Sequence, residues 1–221
     1  MMQEVPAENY MPDQIQHAAN PFYKGYFKSE ELLGMGFKSV GENVKIAKNC
    51  TLVGLDKISL GNNIQIDENV FIAANSGPLS IGDYVHIGGG CHLNCAGGIT
   101  LSDFSGLSQG VRIYSVTDDY TGFSLTNATV PKKFKNVKIA SVFLGKHVLI
   151  GSGCVILPGV QIGIGSSVGA LSLVNISLKE WGVYIGVPAK RIKARSQKLL
   201  ELEQTLLLEA KMSKEYSLTT L

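Results

Sequence analysis

The sequence predicts an all-β fold in which the chain coils into a parallel β-solenoid, with one short strand on each side of every coil. Apolar residues recur at every sixth position from Leu144 to Val174, within VFLGKHVLIGSGCVILPGVQIGIGSSVGALSLV. A repeat of six matches neither the period of a helix nor a simple alternation, and a fixed short repeat is typical of solenoids. Glycines between the anchors fit the corners, because tight turns need backbone angles that a Cβ disfavours.

Small residues recur four positions after an anchor, where the repeat favours a compact side chain. This second set consists of Val148, Cys154, Ser166 and Ser172. Cys50, Cys91 and Cys154 follow an anchor in the same way, and these cysteines and Cys95 form no CxxC pair. We therefore expect reduced structural thiols, with no disulfide and no metal site.

The same repeat runs through most of residues 39–192, the predicted solenoid domain. Its register slips at AANSGPLS and again between Ile99 and Leu101. Three anchors per coil give three predicted inward columns, because stacked branched residues suit a buried parallel sheet. The columns are Val40, Ile58, Ile81, Leu101, Leu144 and Ile162; Ile46, Ile64, Ile87, Leu107, Ile150 and Val168; and Leu52, Val70, Leu93, Ile113, Ile156 and Val174.

Residues 1–38 lack the six-residue rhythm and are rich in aromatic residues. They contain SEELLGMG, in which Ser29 is predicted to cap a short helix that ends at Gly34. The open end of a β-solenoid exposes unpaired strand edges, so we predict that this segment is an N-terminal cap. The alternative is that its aromatic residues line a substrate pocket.

The repeat is interrupted once, by a loop insertion at residues 116–140 that carries acidic, aromatic and basic residues. Long excursions from a compact scaffold are commonly functional or disordered, and we expect this one to be functional. Residues 193–221 are predicted to form a C-terminal helix and tail. The helix is expected from about Ala194 to Met212, because Leu199, Leu202 and Leu206 follow helical spacing. It would pack on the solenoid or on a neighbouring subunit.

Composition excludes several classes of function. The 221 residues carry a net charge of +2 and no long basic run, which argues against a nucleic-acid partner. No window approaches the roughly 18 apolar residues of a membrane span, and the N-terminus shows no signal-peptide pattern. The sequence therefore predicts a cytoplasmic protein with no membrane and no nucleic-acid partner.

The repeat, the inserted loop and the closing GVPAKRI together resemble the hexapeptide-repeat acyltransferases, which are left-handed parallel β-helices. The resemblance covers about residues 40–193 and includes galactoside and xenobiotic acetyltransferases and nucleotide-sugar N-acyltransferases. It implies a homotrimer with coenzyme A in the groove between neighbouring prisms. Nucleotidyltransferases and carbonic anhydrases use the same prism, so the fold alone does not assign a function.

The resemblance also implies which residues bind the cofactor. Ser152 and Ala170 match positions whose backbone meets the pantetheine arm. Lys190 and Arg191 match the basic ending that faces the phosphates of coenzyme A, and Pro188 lies near the adenine. A phosphate favours cations presented at a groove. The alternative interpretation is that Ser152 and Ala170 are ordinary corners of the repeat and that Lys190 and Arg191 are solvated charges.

The candidate catalytic residues are Asn94, Asp118 and His86. Asn94 matches a family asparagine near the reacting acyl group. The O-acetyltransferases of the family place a histidine on the inserted loop, where this chain reads TDDY; none occurs between residues 93 and 146. Acylation of a hydroxyl depends on a positioned base, whereas an amine needs only to be uncharged. Asp118, in place of that histidine, therefore favours N-acylation over O-acylation.

Outward-facing residues near the root of the loop are the candidate substrate contacts. Residues 92 and 94 flank the inward Leu93 and are expected to stack beneath Arg112 and Tyr114. The proposed substrate-binding residues are His92, Tyr114, Asp119 and Tyr120. His86 also points outward, but on another face, and would meet the loop only across a subunit interface. A surface role remains the alternative for His86 and His92, whereas His17 and His147 are interpreted as structural.

The sequence thus predicts an N-acyltransferase that uses acyl-CoA, with acetyl-CoA as the expected donor and no metal. Its acceptor would be a nucleotide-linked amino sugar, such as a dTDP-amino-6-deoxyhexose destined for a surface glycan. The runner-up is a sugar or xenobiotic O-acetyltransferase with His86 or His92 as base. A non-enzymatic scaffold subunit is the third possibility. The sugar, its nucleotide and the acyl chain are not determined by the sequence.

Overall fold

The computed structural model describes residues 21–219, with side chains described through residue 212. Two helices are present in this range, α1 (Ser29–Leu32) and α2 (Leu199–Thr219). The first eleven strands are β1 (Tyr26–Lys28), β2 (Val44–Ala47), β3 (Thr51–Val53), β4 (Ile58–Leu60), β5 (Ile64–Ile66), β6 (Phe71–Ala73), β7 (Leu79–Ile81), β8 (His86–Ile87), β9 (His92–Asn94), β10 (Ile99–Leu101) and β11 (Gly106–Leu107). The others are β12 (Arg112–Tyr114), β13 (Val116–Thr117), β14 (Lys138–Ile139), β15 (Val142–Leu144), β16 (Leu149–Ile150), β17 (Val155–Ile156), β18 (Gln161–Ile162), β19 (Ser167–Val168), β20 (Leu173–Val174), β21 (Gly182–Ile185) and β22 (Lys190–Ala194).

The strands form a left-handed parallel β-helix of about seven turns, as predicted. Its three sides are three sheets. The first sheet has the order β1-β2-β5-β8-β11-β16-β19-β21-β22, the second β18-β15-β10-β7-β4 and the third β20-β17-β12-β9-β6-β3. Every pairing in them is parallel except β1 with β2 and β21 with β22, at the two ends of the first sheet.

The predicted inward columns are correct from the third coil onward and wrong by two residues in the second coil. The residues that continue the columns there are Leu60, Ile66 and Ile72, not Ile58, Ile64 and Val70. A 3₁₀ turn at Leu55–Lys57 lengthens the preceding corner. Both series recur every six residues and all six side chains are buried, so periodicity alone does not distinguish them.

The core is a continuous apolar stack along the axis of the prism. Each strand contributes an inward anchor and a second inward residue two positions earlier, which is small in the later coils. Cys154, Ser166 and Ser172 occupy this second position and are buried. All four cysteines are free thiols. Burying a branched side chain contributes about 1.5–3 kcal/mol, so the repeat itself supplies most of the driving force for folding.

Glycines occupy the corners for two separate reasons. Gly153 has a φ of +69°, in the left-handed region that a side chain disfavours. Gly151 has no such angle, but a Cβ there would lie 2.5 Å from the backbone nitrogen of Ala170 on the next coil. One glycine is therefore required by backbone conformation and the other by the close stacking of coils.

The N-terminal segment covers one edge of the first sheet. β1 pairs antiparallel with β2, with Phe27 opposite Ile46. The prediction that Ser29 caps α1 is wrong: the helix starts at Ser29 itself and ends two residues before Gly34. The Ser29 hydroxyl instead donates to the carbonyl of Gly41 and accepts from the backbone N–H of Val44, both at 2.8 Å. Residues 1–20, which include His17, lie outside the described residues.

The C-terminal segment returns along the first sheet before it becomes helical. β22 pairs antiparallel with β21, so α2 begins at Leu199 rather than near the predicted Ala194. The Arg195 guanidinium donates to the carbonyl of His147 at 2.7 Å and fixes the connection. Leu202 and Leu206 are exposed, whereas the charged side chain of Glu203 bonds to Lys146 and His147 of the prism.

Within residues 21–219, no helix combines the length and the apolar content that crossing a membrane requires.

Candidate active site

One corner of the prism, between the first and third sheets, carries the predicted cofactor positions. The residues that directly follow the inward anchors stack there through backbone hydrogen bonds. From the N-terminal side they are Asp67, Gly88, Ser108, Gly151 and Gly169. We call this stack the corner column. The residue that follows each member of the corner column, such as Ser152 after Gly151, lies beside the column on the surface.

Ser152 and Ala170 lie beside the corner column on consecutive coils. The Ser152 hydroxyl lies 3.4 Å from the side-chain oxygen of Gln109, one coil earlier. The carbonyl of Ser152 accepts from the N–H of Leu171, and Ala170 is exposed. The two residues therefore present a ladder of small side chains and backbone groups, which suits the passage of a narrow chain such as pantetheine.

Pro188, Lys190 and Arg191 lie at the β21–β22 hairpin, at the end of the prism beyond Ala170. All three are exposed. Arg191 donates to the carbonyl of Trp181 at 3.2 Å, so its guanidinium also holds the hairpin together. Lys190 forms no ion pair with any described residue and is the cation more available to an external phosphate.

The third sheet brings His92, Asn94 and Tyr114 together as expected. His92 lies opposite Arg112 and Asn94 opposite Tyr114. The His92 ring stacks on Phe71 at 4.7 Å between centroids and lies 5.7 Å from the ring of Tyr114. Burial, followed by the charge of Arg112, lowers the pKa of His92 and thereby favours the neutral imidazole.

The loop leaves the prism directly after this cluster. β13 pairs antiparallel with β14, so the two ends of the insertion lie side by side. The Ser115 hydroxyl donates to the carbonyl of Asn94 at 2.6 Å and accepts from the N–H of Gly97 at 2.8 Å, fixing the root of the loop to β9.

Asp118 and Asp119 have different surroundings. Both carboxylate oxygens of Asp119 accept hydrogen bonds within the loop, from Thr121 and from the Ser124 hydroxyl, and these bonds lower the pKa of Asp119. The half-buried Asp118 carboxylate accepts no hydrogen bond from any described residue. Tyr120 is 92% exposed. Asp118 is therefore free to meet a ligand, whereas Asp119 stabilises the loop.

His86 forms an ion pair with Asp67, which the sequence analysis did not predict. Its Nε2 atom lies 2.8 Å from Asp67 Oδ2, and the other oxygen of Asp67 accepts from the side-chain amide of Gln65 at 2.9 Å and from the Tyr26 hydroxyl at 3.3 Å. The hydrogen bond to Asp67 raises the pKa of His86 despite partial burial. For Asp67, burial alone would raise the pKa, but the hydrogen bonds hold it below its usual value.

The error in register concealed this pair. The predicted register placed Ile64 opposite Ile87, and in that register Asp67 does not lie beside His86. In the structure Ile66 lies opposite Ile87, so Asp67, the next residue along the chain, reaches His86. His86 belongs to the first sheet, whereas Asn94 and the root of the loop belong to the third. Among the described residues, no group of three or more histidine, cysteine, aspartate or glutamate side chains could hold a metal ion.

Comparisons with known proteins place the chain in a family. It is 43% identical over 178 residues to the dTDP-4-amino-4,6-dideoxy-D-glucose acyltransferase of Escherichia coli, a match that covers 80% of this chain and 93% of that protein. The chain belongs to the dTDP-amino-sugar N-acyltransferases. No family model matches it.

Two solved structures extend the comparison. AntD, an N-acyltransferase from Bacillus cereus crystallised with dTDP and 3-hydroxybutyryl-CoA, superposes with a TM-score of 0.81 and is 41% identical, covering 85% of this chain and 99% of AntD. A hexapeptide-repeat acetyltransferase from Vibrio cholerae, VCA0836, has a TM-score of 0.52 at 17% identity, over 77% of this chain and 82% of that one; it shares the fold. Membership of this N-acyltransferase family confirms the predicted acyl transfer to an amino sugar, with acyl-CoA as co-substrate.

Proposed function

We propose that the chain acylates the 4-amino group of dTDP-4-amino-4,6-dideoxyglucose. The observation that carries this proposal is the match to the Escherichia coli enzyme that acts on this sugar, which spans nearly the whole of that enzyme. AntD structures containing the same nucleotide sugar and coenzyme A support it. The product would be an amide-bearing sugar for a surface glycan, made in the cytoplasm where acyl-CoA is available.

In the proposed reaction, the neutral amine attacks the thioester carbonyl of acyl-CoA. A C–N bond forms, the C–S bond breaks, the nitrogen loses a proton and the thiolate of coenzyme A departs. Asp118 is the proposed proton acceptor, because its carboxylate has no partner in the loop. A carboxylate is a weak base, but it is sufficient to orient an amine and to receive its proton after addition. Asn94, two residues after His92, is the proposed contact of the acyl oxygen.

A pattern among the AntD structures supports Asp118. They include variants of one serine and of one aspartate that lie ten residues apart in AntD. Across the whole sequence of this chain, the only serine followed by an aspartate at that spacing is Ser108, with Asp118. Ser108 is part of the corner column, between the His86 coil and the Ser152 coil. We therefore add Ser108 to the proposed site, a residue that the repeat alone gives no reason to select.

His86 fits a catalytic base less well than Asp118. Its Nε2 atom is occupied by Asp67, and the raised pKa favours the protonated imidazole. A protonated imidazole does not accept a proton. The lowered pKa of His92 favours the neutral imidazole, but the ring lies between those of Phe71 and Tyr114. We therefore propose that His92, Tyr114 and Tyr120 form part of the wall of the sugar site.

We further propose a homotrimer in which the loop of one subunit completes the site of the next. Phe123, at the tip of the loop, is 93% exposed, and such an apolar side chain favours a protein contact. Sedimentation equilibrium of the full chain is expected to give three times the mass of the chain; a monomer under native conditions would contradict this proposal.

The activity is tested by release of free thiol from acetyl-CoA and from 3-hydroxybutyryl-CoA with dTDP-4-amino-4,6-dideoxyglucose as acceptor. We expect amide formation with this sugar and little reaction with dTDP-6-deoxyglucose, which carries a hydroxyl at the same carbon. Faster reaction with the hydroxy sugar would identify an O-acyltransferase instead. The dTDP-3-amino isomer serves as a control for the position of the amine.

A further inference from the structure

The residues beside the corner column form a second row along the same corner, which has one gap. On each coil the carbonyl of the row residue accepts a hydrogen bond from the next coil. From the N-terminal side the row consists of Glu68, Gly89, Gln109, Ser152 and Ala170. We call it the outer row. Gly89 alone has no side chain, so the row is interrupted between Glu68 and Gln109.

Gly89 is the middle one of three consecutive glycines, and the fold requires its two neighbours more than it requires Gly89. A Cβ at Gly88 would lie 2.8 Å from the backbone nitrogen of Gln109, and Gly90 has a φ of +70°. A Cβ at Gly89 would make one close contact, at 3.1 Å from the carbonyl oxygen of Glu68, and none of the others is nearer than 3.9 Å. Its φ is not positive, and the other coils carry side chains at this position. A glycine of this kind commonly marks the close approach of a ligand.

Glu68 ends the gap with a half-buried carboxylate that accepts no hydrogen bond from any described residue. Two aromatic residues of the N-terminal cap lie near it. Burial, followed by the charge of Glu68, raises the pKa of Tyr23, and the ring of Tyr23 lies 6.2 Å from that of Tyr26. The Tyr26 hydroxyl donates to Asp67, the residue before Glu68. A covered carboxylate beside aromatic rings favours a hydrogen-bond donor supplied by a ligand.

The gap lies where the acyl group of the donor is expected. The proposed pantetheine path runs along the outer row from Ala170 to Ser152, and the proposed catalytic Ser108 directly precedes Gln109. A donor that follows this path therefore brings its thioester to the coil of Gln109. The next coil lies about 4.8 Å further and carries Gly89. The three C–C bonds of an extended four-carbon chain span about 3.8 Å, so such a chain fits over this glycine.

We propose that Gly89 and Glu68 select the acyl chain of the donor. Gly89 leaves space for a chain of four carbons, and Glu68 accepts a hydrogen bond from a hydroxyl group on carbon 3 of that chain. The preferred donor is then a short 3-hydroxyacyl-CoA. Acetyl-CoA leaves the space unfilled, and a longer alkyl chain covers a carboxylate without bonding to it, which is unfavourable. The inference rests on the proposed function and specifies its donor; the bonds formed and broken are the same.

The test compares kcat/KM for acetyl-CoA, butyryl-CoA and 3-hydroxybutyryl-CoA at saturating dTDP-4-amino-4,6-dideoxyglucose, with thiol release as the readout. The wild type is expected to prefer 3-hydroxybutyryl-CoA over butyryl-CoA about tenfold, because the hydroxyl bonds to a charged acceptor. Glu68→Ala is expected to abolish this preference. Gly89→Val, which fills the gap, is expected to lower the ratio of kcat/KM for 3-hydroxybutyryl-CoA to that for acetyl-CoA about tenfold. Glu180→Ala, an exposed glutamate at another corner, is the matched control and should keep the wild-type preference.

Glu68→Ala decides the inference even if Gly89→Val folds poorly, because the Glu68 carboxylate makes no hydrogen bond with the described residues. If Glu68→Ala keeps the wild-type preference, or if the wild type does not distinguish 3-hydroxybutyryl-CoA from butyryl-CoA, the inference is wrong. Amide formation by the wild type would still support the proposed function in that case. If the wild type acylates this sugar with none of the three donors, the proposed function itself fails.

Discussion

The imidazole of His147 lies 2.7 Å from a carboxylate oxygen of Glu203, joining a corner of the β-helix to the C-terminal helix 56 residues later. Both side chains are almost fully covered, at 8% and 10% exposure. Lys146 binds the other oxygen of Glu203. The ring of His147 also stacks on Phe104, so Glu203 holds α2 to a residue that is itself packed against the prism. His147, predicted to be structural from the sequence, acts as a docking point.

Glu203→Ala is expected to lower the free energy of unfolding by about 1–3 kcal/mol, because it removes two charge-assisted hydrogen bonds from covered partners. Denaturant titration measures the change. Glu209→Ala, at an exposed position of the same helix, is the matched control and should stay within about 0.5 kcal/mol of the wild type. Equal losses in the two variants would show that the Glu203 contacts do not stabilise the protein.

Glu203 also predicts a response to acid. Burial would raise the pKa of Glu203, but the hydrogen bonds from Lys146 and His147 outweigh burial and lower it from 4.5. A lowered folded pKa stabilises the protein above pH 4.5, and this contribution is lost as the pH falls through the folded value. Below pH 4.5 the wild type should therefore lose stability more steeply than Glu203→Gln. Parallel pH curves would contradict the assignment.

The His86–Asp67 pair is tested directly by nuclear magnetic resonance titration of the imidazole. We expect the pKa of His86 to lie above 6.5 in the wild type and to fall in Asp67→Asn, because the amide removes the negative partner. The pair stabilises the protonated form, so its effect is complete below pH 6.5 and disappears as the pH rises through the folded value. His92 provides an internal control, since its pKa is lowered.

Asp118→Asn is expected to lower kcat on the amino sugar by about a hundredfold, the lower end of the range for general acid–base assistance, because an amine can also lose its proton to water. The amide is nearly isosteric and tests charge more than shape. Asp119→Asn is the neighbouring control, with a much smaller expected loss. If Asp118→Asn keeps full activity while His86→Ala or His92→Ala abolishes it, a histidine is the base.

Lys190→Ala and Arg191→Ala, made together, should raise KM for acyl-CoA more than KM for the nucleotide sugar. A phosphate contact made by a cation is charge-assisted, and we expect about a tenfold effect. Lys193→Ala, exposed on the same strand, is the control. Because Arg191 also bonds to Trp181, Lys190→Ala alone must reproduce part of the effect. Unchanged KM values would mean that these cations face only solvent.

The sequence by itself determined the type of fold, because a six-residue apolar repeat is satisfied only by a chain that coils in short strands. It also determined the neighbours on the third sheet, where His92 and Asn94 lie beneath Arg112 and Tyr114 as predicted. Both follow from strand alternation and from a register that was placed correctly after Ile81, including the slip between Ile99 and Leu101. The loop without histidine correctly favoured N-acylation, because the type of base required depends on the nucleophile.

Only the tertiary structure decided the contacts that depend on the length of a corner or on a distant segment. The second coil carries two equally apolar series two residues apart, and the 3₁₀ turn at Leu55–Lys57 selects between them. That choice brings Asp67 to His86. Tyr26 and Glu203 reach their partners across 41 and 56 residues, and no local periodicity encodes such pairs. Local patterns fix which face a side chain occupies, whereas three-dimensional packing fixes what it meets there.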